Sequence, residues 1–244
     1  HPDNRDITLW KLLTHRTDVN DIWTFNQRLT KNRRLALVKK YLNKSTSKKR
    51  GEFSYSNMGY ITAAVMAEQI TGLLWEDLMK KQLFIPLGID SPEFRIPGRH
   101  GKTDQPWGHQ KSGSGWLPVQ EDCSEALAPA GNVYCTIDDW ARFLALFMKG
   151  SHALLSESLI EKLLSPTGFY AGGWGITEVK AWAKGRTYSH NGSNGRWYSS
   201  VVITPNLKRA FIVVTNSRDF GATEGICSDL ISNLIRIELN SNTD

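Results

Sequence analysis

At 244 residues, with 40% apolar and 10% aromatic side chains, the chain can bury a substantial core and reads as an ordinary globular protein. No apolar run approaches the ~20 residues that a bilayer-crossing helix needs, and no signal peptide is visible. The three cysteines, Cys123, Cys135 and Cys227, are too few and too scattered for a disulfide framework or a zinc site, and the odd count leaves at least one thiol free.

The formal charge of +6 is unevenly placed. Ten basic residues and no acid lie between Ile22 and Gly51, which leaves the remainder slightly acidic, with 20 basic against 24 acidic groups. Such a stripe can meet nucleic acid, anionic lipid or an acidic cell-wall polymer. No aromatic stacking platform accompanies it, so a solvated helix face and loop is the expectation and no nucleic-acid partner is predicted. The chain opens at His1 rather than Met, from which a processed, cleaved or truncated N-terminus is expected.

Asp6 is expected to cap a helix bearing Leu9, Leu12 and Leu13, with His15 in its last turn, where the helix dipole accounts for a cationic ring. After the turn at Asp18 to Asp21, Thr30 can cap a second helix with Leu35, Val38, Tyr41 and Leu42 inward. Phe53-Ser54-Tyr55-Ser56-Asn57 leads into a third helix, in which Met58, Ile61, Val65 and Ile70 recur at helical period until Gly72. Ser56 or Asn57 is its natural cap, which sets the Tyr55 ring just outside the helix mouth. A short helix over Leu74 to Leu83 is stopped by Pro86-Leu87-Gly88.

From Asp90 to Pro129 periodicity dissolves, and Trp107, His109 and Trp116 favour a binding-loop system over disorder. Thr136-x-x-Asp139 resembles a capping box for a helix carrying Trp140, Phe143, Leu144 and Phe147 up to Gly150. Ser156 begins another, with Leu159, Ile160, Leu163 and Leu164 inward. Phe169 to Val179 and Ala181 to Ser189 read as strands. Trp197 to Thr204 and Phe211 to Asn216 read as a hairpin closed by Pro205-Asn206-Leu207-Lys208. Both runs are apolar on both parities, so the sheet is expected to be covered on both sides. A final amphipathic helix, about Thr223 to Leu239, should cover one face through Ile226, Leu230, Leu234 and Ile237. The order predicts an α+β protein, either one domain over 1–244 or two closely packed lobes: helical over about 6–165, with sheet and last helix over about 166–240.

Tyr55-Ser56-Asn57 and His190-Asn191-Gly192 are weak signals singly, but their order and contexts form a pattern. Ile7 to His15 (ITLWKLLTH), then FSYSNMGY ahead of a helix ending at Thr71-Gly72, then Pro86-Leu87-Gly88, Pro129 to Tyr134 (PAGNVY) and the HNG strand follow one template. The chain resembles the serine β-lactamase and penicillin-binding-protein superfamily, in the branch with class C β-lactamases, DD-peptidases and related esterases. The resemblance implies a β-lactamase/transpeptidase-like fold and hydrolysis of an amide, β-lactam or ester through an acyl-enzyme, with no metal or organic cofactor. It makes Tyr55 the proton shuttle of a Tyr-x-Asn motif and Asn57 a donor and acceptor for the substrate amide. It sets His190 and Gly192 in a His-x-Gly motif lining the site, with Asn191 also on the substrate side, and gives the Ser193 N–H half of an oxyanion hole. Tyr55 and His190 are then expected to flank one groove at the rim of the sheet.

One part of the template is not found in its place. The family nucleophile is the serine of a Ser-x-x-Lys motif upstream of the Leu-Leu-Thr-His segment, where only six residues precede Ile7. Ser45-Thr46-Ser47-Lys48 has the letters, but no apolar helical period follows it, so it reads as coincidence. The family's N-terminal strands have no counterpart either, which predicts that the serine and the strand beside Phe211 to Asn216 come from the chain's own missing fragment or a second chain. Thr17-Asp18-Val19, where Thr-Ser-Gly is usual, alters only a turn. The implied substrate is a small molecule or a peptidoglycan-like polymer, and a periplasmic or secreted location rests on the resemblance alone. The rival reading is a noncatalytic cell-wall-polymer binding or sensor module of the same fold.

Overall fold

The computed structural model describes all residues except 20, 25–27, 46–50, 122, 149, 151–153, 220 and 242–244. The chain divides into two compact units. One comprises His1–Ile96, Glu121–Asp139 and Ala171–Gly173, and the other Pro97–Gln120, Trp140–Tyr170 and Trp174–Asp244. Of the Ser-x-x-Lys letters only Ser45 is described, its hydroxyl donating to the Asp3 carboxylate at 2.8 Å; the other three lie outside the described residues.

The first unit is helical. Helix α1 (Leu9–Leu13) is capped by Thr8, whose hydroxyl accepts the Lys11 N–H at 3.3 Å. The expected cap, Asp6, sits two residues too early and instead pairs with the Lys11 ammonium at 2.9 Å. A 3-10 turn (Lys31–Arg33) precedes α2 (Arg34–Leu42), and Thr30 makes no side-chain cap there. Helix α3 (Asn57–Thr71) has Ser56 as N-cap, its hydroxyl accepting the Gly59 N–H at 3.1 Å, and ends at Gly72 with φ 72°. Only glycine holds that left-handed angle without a Cβ penalty. Helix α4 (Trp75–Met79) widens into a π-turn over Lys80–Phe84, tightens over Ile85–Leu87 and stops at Gly88. A further turn, α5, spans Ala128–Gly131.

Met58, Ile61 and Val65 of α3 meet Leu37 and Val38 of α2, together with Val19, Ala126 and Leu127, in one apolar cluster. Ile70, expected on the same stripe, is 83% exposed and instead rims an open apolar cleft with Leu42 and Met66. Arg34 ties three helices together. Fully buried, it pairs with Glu68 of α3 and, at 2.5 Å, with Glu76 of α4, and donates to the Ala126 and Glu125 carbonyls at 3.2 Å each. A buried guanidinium needs this full set of acceptors, because an unpaired buried charge is strongly destabilising. One of the ten cations of the basic stretch is therefore interior, not on a solvated face.

The second unit holds the sheets. Strands β1 (Gly108–Ser112) and β2 (Gly115–Val119) form an antiparallel hairpin turning at Gly113, φ 59°. This hairpin falls inside the stretch expected to be irregular. Its strands are largely exposed, so they show no apolar alternation to read. Helix α6 (Ile137–Ala145) begins in the first unit. Thr136 Oγ1 accepts the Asp139 N–H at 3.2 Å, but the Asp139 carboxylate takes the Ser91 N–H at 2.9 Å instead of returning to Thr136. The capping box is thus half formed, and the helix stops short of Gly150. Helix α7 (Glu157–Leu163) starts from Ser156 as expected, with Ile160 buried and Leu159 exposed.

Strands β3 (Gly175–Ile176), β4 (Tyr188–Ser193), β5 (Tyr198–Thr204) and β6 (Arg209–Thr215) make an antiparallel sheet in that order. The expected long strands before Ser189 shrink to β3 and a 3-10 turn (Ala181–Ala183); glycines at 172, 173 and 175 interrupt the first run and Gly185 the second. The hairpin pairs Val201 with Ile212 and Thr204 with Arg209, and β5 is buried on both parities. A last short strand, β7 (Ser217–Arg218), runs parallel to β1.

Helix α8 (Ala222–Ser241) packs on β5 and β6. It does so through Thr223, Cys227 and Ile231, spaced four apart, while the predicted stripe stays outside, with Ile226 61% and Ile237 65% exposed. At 3.6 residues per turn the buried line and the predicted stripe are neighbours on the helix surface, roughly 65° apart, so a modest rotation of the helix decides which of them meets the strands. No helix of the described residues is long and apolar enough to cross a membrane, and no disulfide joins Cys123, Cys135 and Cys227.

Candidate active site

In the first unit, Tyr55 stands two residues ahead of α3, with its side chain about half exposed. Its ring lies on the imidazole of His15, centroids 4.2 Å apart, and Phe53 and Tyr60 flank that imidazole at 5.7 and 5.2 Å. His15 is 1% exposed and has φ 54°. Its Nδ1 accepts the Ser56 N–H at 3.0 Å, and its carbonyl accepts the Ser54 N–H at 2.9 Å. An accepting Nδ1 carries no proton, so the ring hydrogen sits on Nε2. The helix-dipole account of His15 is therefore replaced: the ring has turned inward to brace the segment that carries Tyr55.

Asp21 comes to the same place from the loop after α1. Its Oδ1 accepts the backbone N–H groups of Asn57 at 2.6 Å and Met58 at 3.4 Å, and its Oδ2 accepts the Asn57 side-chain Nδ2 at 3.1 Å. A carboxylate at a helix N-terminus is favoured by the unsatisfied donors and by the dipole. Burial of the Tyr55 ring, and then the Asp21 charge, push the phenol pKa above its ordinary value, so the hydroxyl keeps its proton at neutral pH. Sequence reading singled out neither His15 nor Asp21 for the site. The Thr-His pair was legible as a motif, whereas an aspartate 36 residues before Asn57 gives no local signal.

In the second unit, His190, Asn191, Gly192 and Ser193 lie on β4, opposite Val201, Ser200, Ser199 and Tyr198 of β5. The Thr187 carbonyl accepts from the Thr177 N–H on the β3 side. In an antiparallel ladder each residue aims its N–H and C=O to the same edge, alternately, so Ser189, Asn191 and Ser193 face the β3 side and His190 and Gly192 face β5. Because β3 reaches only to the Gly175–Ser189 pair, the Asn191 and Ser193 backbone groups point past its end. A Cβ built on Gly192 meets nothing within 4 Å, which leaves open space beside the strand. Asn191 Oδ1 accepts from the Ser200 hydroxyl at 2.7 Å, and Ser193 Oγ donates to the Trp197 carbonyl at 2.6 Å while accepting the Gly195 N–H at 2.9 Å. Burial lowers the His190 pKa, against a smaller opposing effect of the Asn191 backbone, so this imidazole is neutral at pH 7.

Thus Tyr55 and Asn57 share one end of α3, and His190, Asn191, Gly192 and Ser193 share one end of β4. A cleft of about 380 Å³ in the second unit, lined by Phe147, Ile160, Glu161, Arg186 and Tyr188 among others, includes none of the six.

A mixed helix-and-sheet protein with Tyr-x-Asn at a helix mouth and His-x-Gly on a strand is of the serine β-lactamase and penicillin-binding-protein type, a superfamily of hydrolases. Over residues 1–233 the chain matches the family model described as Beta-lactamase, and it belongs to that family. Penicillin-binding protein 4 of Amycolatopsis lactamdurans is 25% identical over 207 residues, covering 75% of this chain and 51% of its own length. The chain thus spans about half the length of that curated relative. A solved structure of SurE superposes with a TM-score of 0.72 at 22% identity, over 96% of this chain and 55% of that one. The D-amino acid amidase from Ochrobactrum anthropi SV3, complexed with L-phenylalanine amide, gives 0.73 at 17% identity, over 100% of this chain and 74% of its own. At such identities the two structures speak for the fold alone.

Proposed function

We propose that this chain is part of a serine hydrolase that cleaves an amide, β-lactam or ester bond through an acyl-enzyme, with the nucleophilic serine supplied from outside these 244 residues. Tyr55 passes the proton from that serine to the leaving group, Asn57, Asn191 and Gly192 face substrate, His190 lines the site as a neutral imidazole, and the Ser193 N–H receives the developing oxyanion. The observation that carries this reading is the placement of Tyr55, whose ring is braced on His15 two residues ahead of Asn57 at the mouth of α3. Its phenol, protonated at neutral pH as phenols are, acts as a relay: the oxygen takes the serine proton as its own proton passes to the departing amine or alkoxide. Support on the strand side comes from the Ser193 backbone group, which points past the end of β3.

The segment that supplies the serine is proposed to pair with β6 as well. Among the described residues no strand pairs with the outer edge of β6, and an apolar edge left open invites pairing. A fluorescent penicillin and a fluorophosphonate, applied to the full-length parent protein, test the reading. Covalent labelling by either, lost on mutation of the serine, is the expected result. Absence of labelling by both, with cell-wall polymer still bound, would establish the noncatalytic module instead. Tyr55→Phe in the full-length protein is expected to lower turnover by at least about tenfold, given the usual worth of acid–base catalysis.

A further inference from the structure

The cleft of about 380 Å³ in the second unit opens at the Tyr188 end of β4, roughly 16 Å along the strand from Ser193. Its floor is apolar, made by Phe147, Ile160 and Leu164. One wall is α7, which presents Glu157 and Glu161, one helical turn apart. Across from them Arg186 and Tyr188 also line the cleft. Charges of both signs therefore face a single apolar-floored cavity, and among the described residues neither the guanidinium nor either carboxylate has an ion-pair or hydrogen-bond partner.

Exposed charges are content with solvent, but the Tyr188 phenol is not exposed. Tyr188 is 9% exposed, and no described group hydrogen-bonds to its hydroxyl. A buried phenol ordinarily finds a partner, and this one can be reached only through the cleft. Burial raises its pKa while the Arg186 charge lowers it, which sets the guanidinium near the phenol. Two donors thus stand together on one wall, and two acceptors on the other.

We infer that this cleft binds a zwitterion with an apolar body, the chemistry of a short peptide. The carboxylate rests on the Arg186 guanidinium and the Tyr188 hydroxyl, the ammonium on Glu157 and Glu161, and the apolar part over Phe147, Ile160 and Leu164. A simple anion would leave the two glutamates unanswered and be repelled by them, and a simple cation would meet the arginine in the same way. None of the proposed hydrolase residues lines the cleft, so binding here stands or falls without that reading.

Tranexamic acid carries an ammonium and a carboxylate at opposite ends of a cyclohexane ring and has no amide, ester or lactam bond to be cleaved. Its affinity for the full-length protein is measured by titration calorimetry beside cyclohexanecarboxylate, which lacks the ammonium, and cyclohexylmethylamine, which lacks the carboxylate. The zwitterion is expected to bind at least about tenfold more tightly than either. Tyr188→Phe, which removes one oxygen, and Arg186→Gln, at an exposed position, should each weaken it by roughly tenfold, the worth of about one hydrogen bond to a charge. Glu157→Gln with Glu161→Gln should weaken it as well, without weakening cyclohexanecarboxylate. No binding to the wild type at millimolar concentrations, or equal affinity in wild type, Tyr188→Phe and Arg186→Gln, overturns the inference. Binding lost in Gly192→Val but kept in Tyr188→Phe would put the probe at the other end of β4 and overturn it too.

Discussion

Gly192 and His190 bear opposite risks. Beside Gly192 there is open space, and a β-branched residue suits a strand, so Gly192→Val should leave the melting temperature of the chain unchanged within a degree or two. In the full-length protein the same change is expected to raise KM at least about tenfold, because the methyl groups occupy the room a substrate needs along β4. A variant that melts early would place the glycine in packing instead. For His190 the sign follows from its buried setting. The folded pKa lies below the ordinary imidazole value of 6.5, so between the two values the unfolded chain holds the extra proton. Stability on this account is complete above pH 6.5 and declines as the pH falls through the folded value. His190→Gln should flatten that decline in a pH series of urea melts. Cys135 makes a third residue-scale case: burial, then the Asp139 charge, raise its thiol to about 11, so iodoacetamide should label it slowly in the native chain and readily in denaturant.

Helices α2, α3 and α4 depend on a contact that no single one of them could specify. The guanidinium of Arg34 is enclosed by Glu68 and Glu76 and by two carbonyls, and Glu68 also accepts the Trp75 N–H at 2.9 Å. Arg34→Ala strands two carboxylates near the interior and should cost about 3–5 kcal/mol in urea unfolding. Replacing Arg34, Glu68 and Glu76 together by apolar residues of similar volume should recover most of that loss, since no charge is then left unpaired. At this scale the sequence was informative wherever a chemical signal is local. Ser56 as cap, Gly72 as stop and the Pro205 to Lys208 turn are all where their residue types placed them. It was silent on Arg34, because a basic residue in a basic run looks solvated until its partners, 34 and 42 positions downstream, are known.

The whole chain leaves apolar surface uncovered. Ile226, Leu230, Leu234 and Ile237 are exposed on α8, and Val214 is half exposed on β6. Patches of this kind mark interaction surfaces or aggregation sites. The 244-residue chain alone is expected to self-associate at tens of micromolar and to bind a hydrophobic dye in its native state. Leu230→Lys with Ile237→Lys should suppress both, as read by light scattering and dye fluorescence, without loss of helical circular dichroism. If the double variant unfolds, the stripe is interior to the fold after all.

By itself the sequence determined the elements whose causes are short-range: a capped helix after Tyr55, an apolar hairpin near the end, a half-legible capping box at Thr136, and motifs dense enough in order and context to identify the family. It could not decide how α8 is rotated against the sheet, because the buried line and the stripe beside it are both apolar enough and the choice lies with the packing against β5 and β6. Nor could it bring His15 and Asp21 to the mouth of α3. A hydrogen bond is made by atoms a few ångströms apart, and only the folded chain decides which residues, 36 or 41 positions removed, come that near.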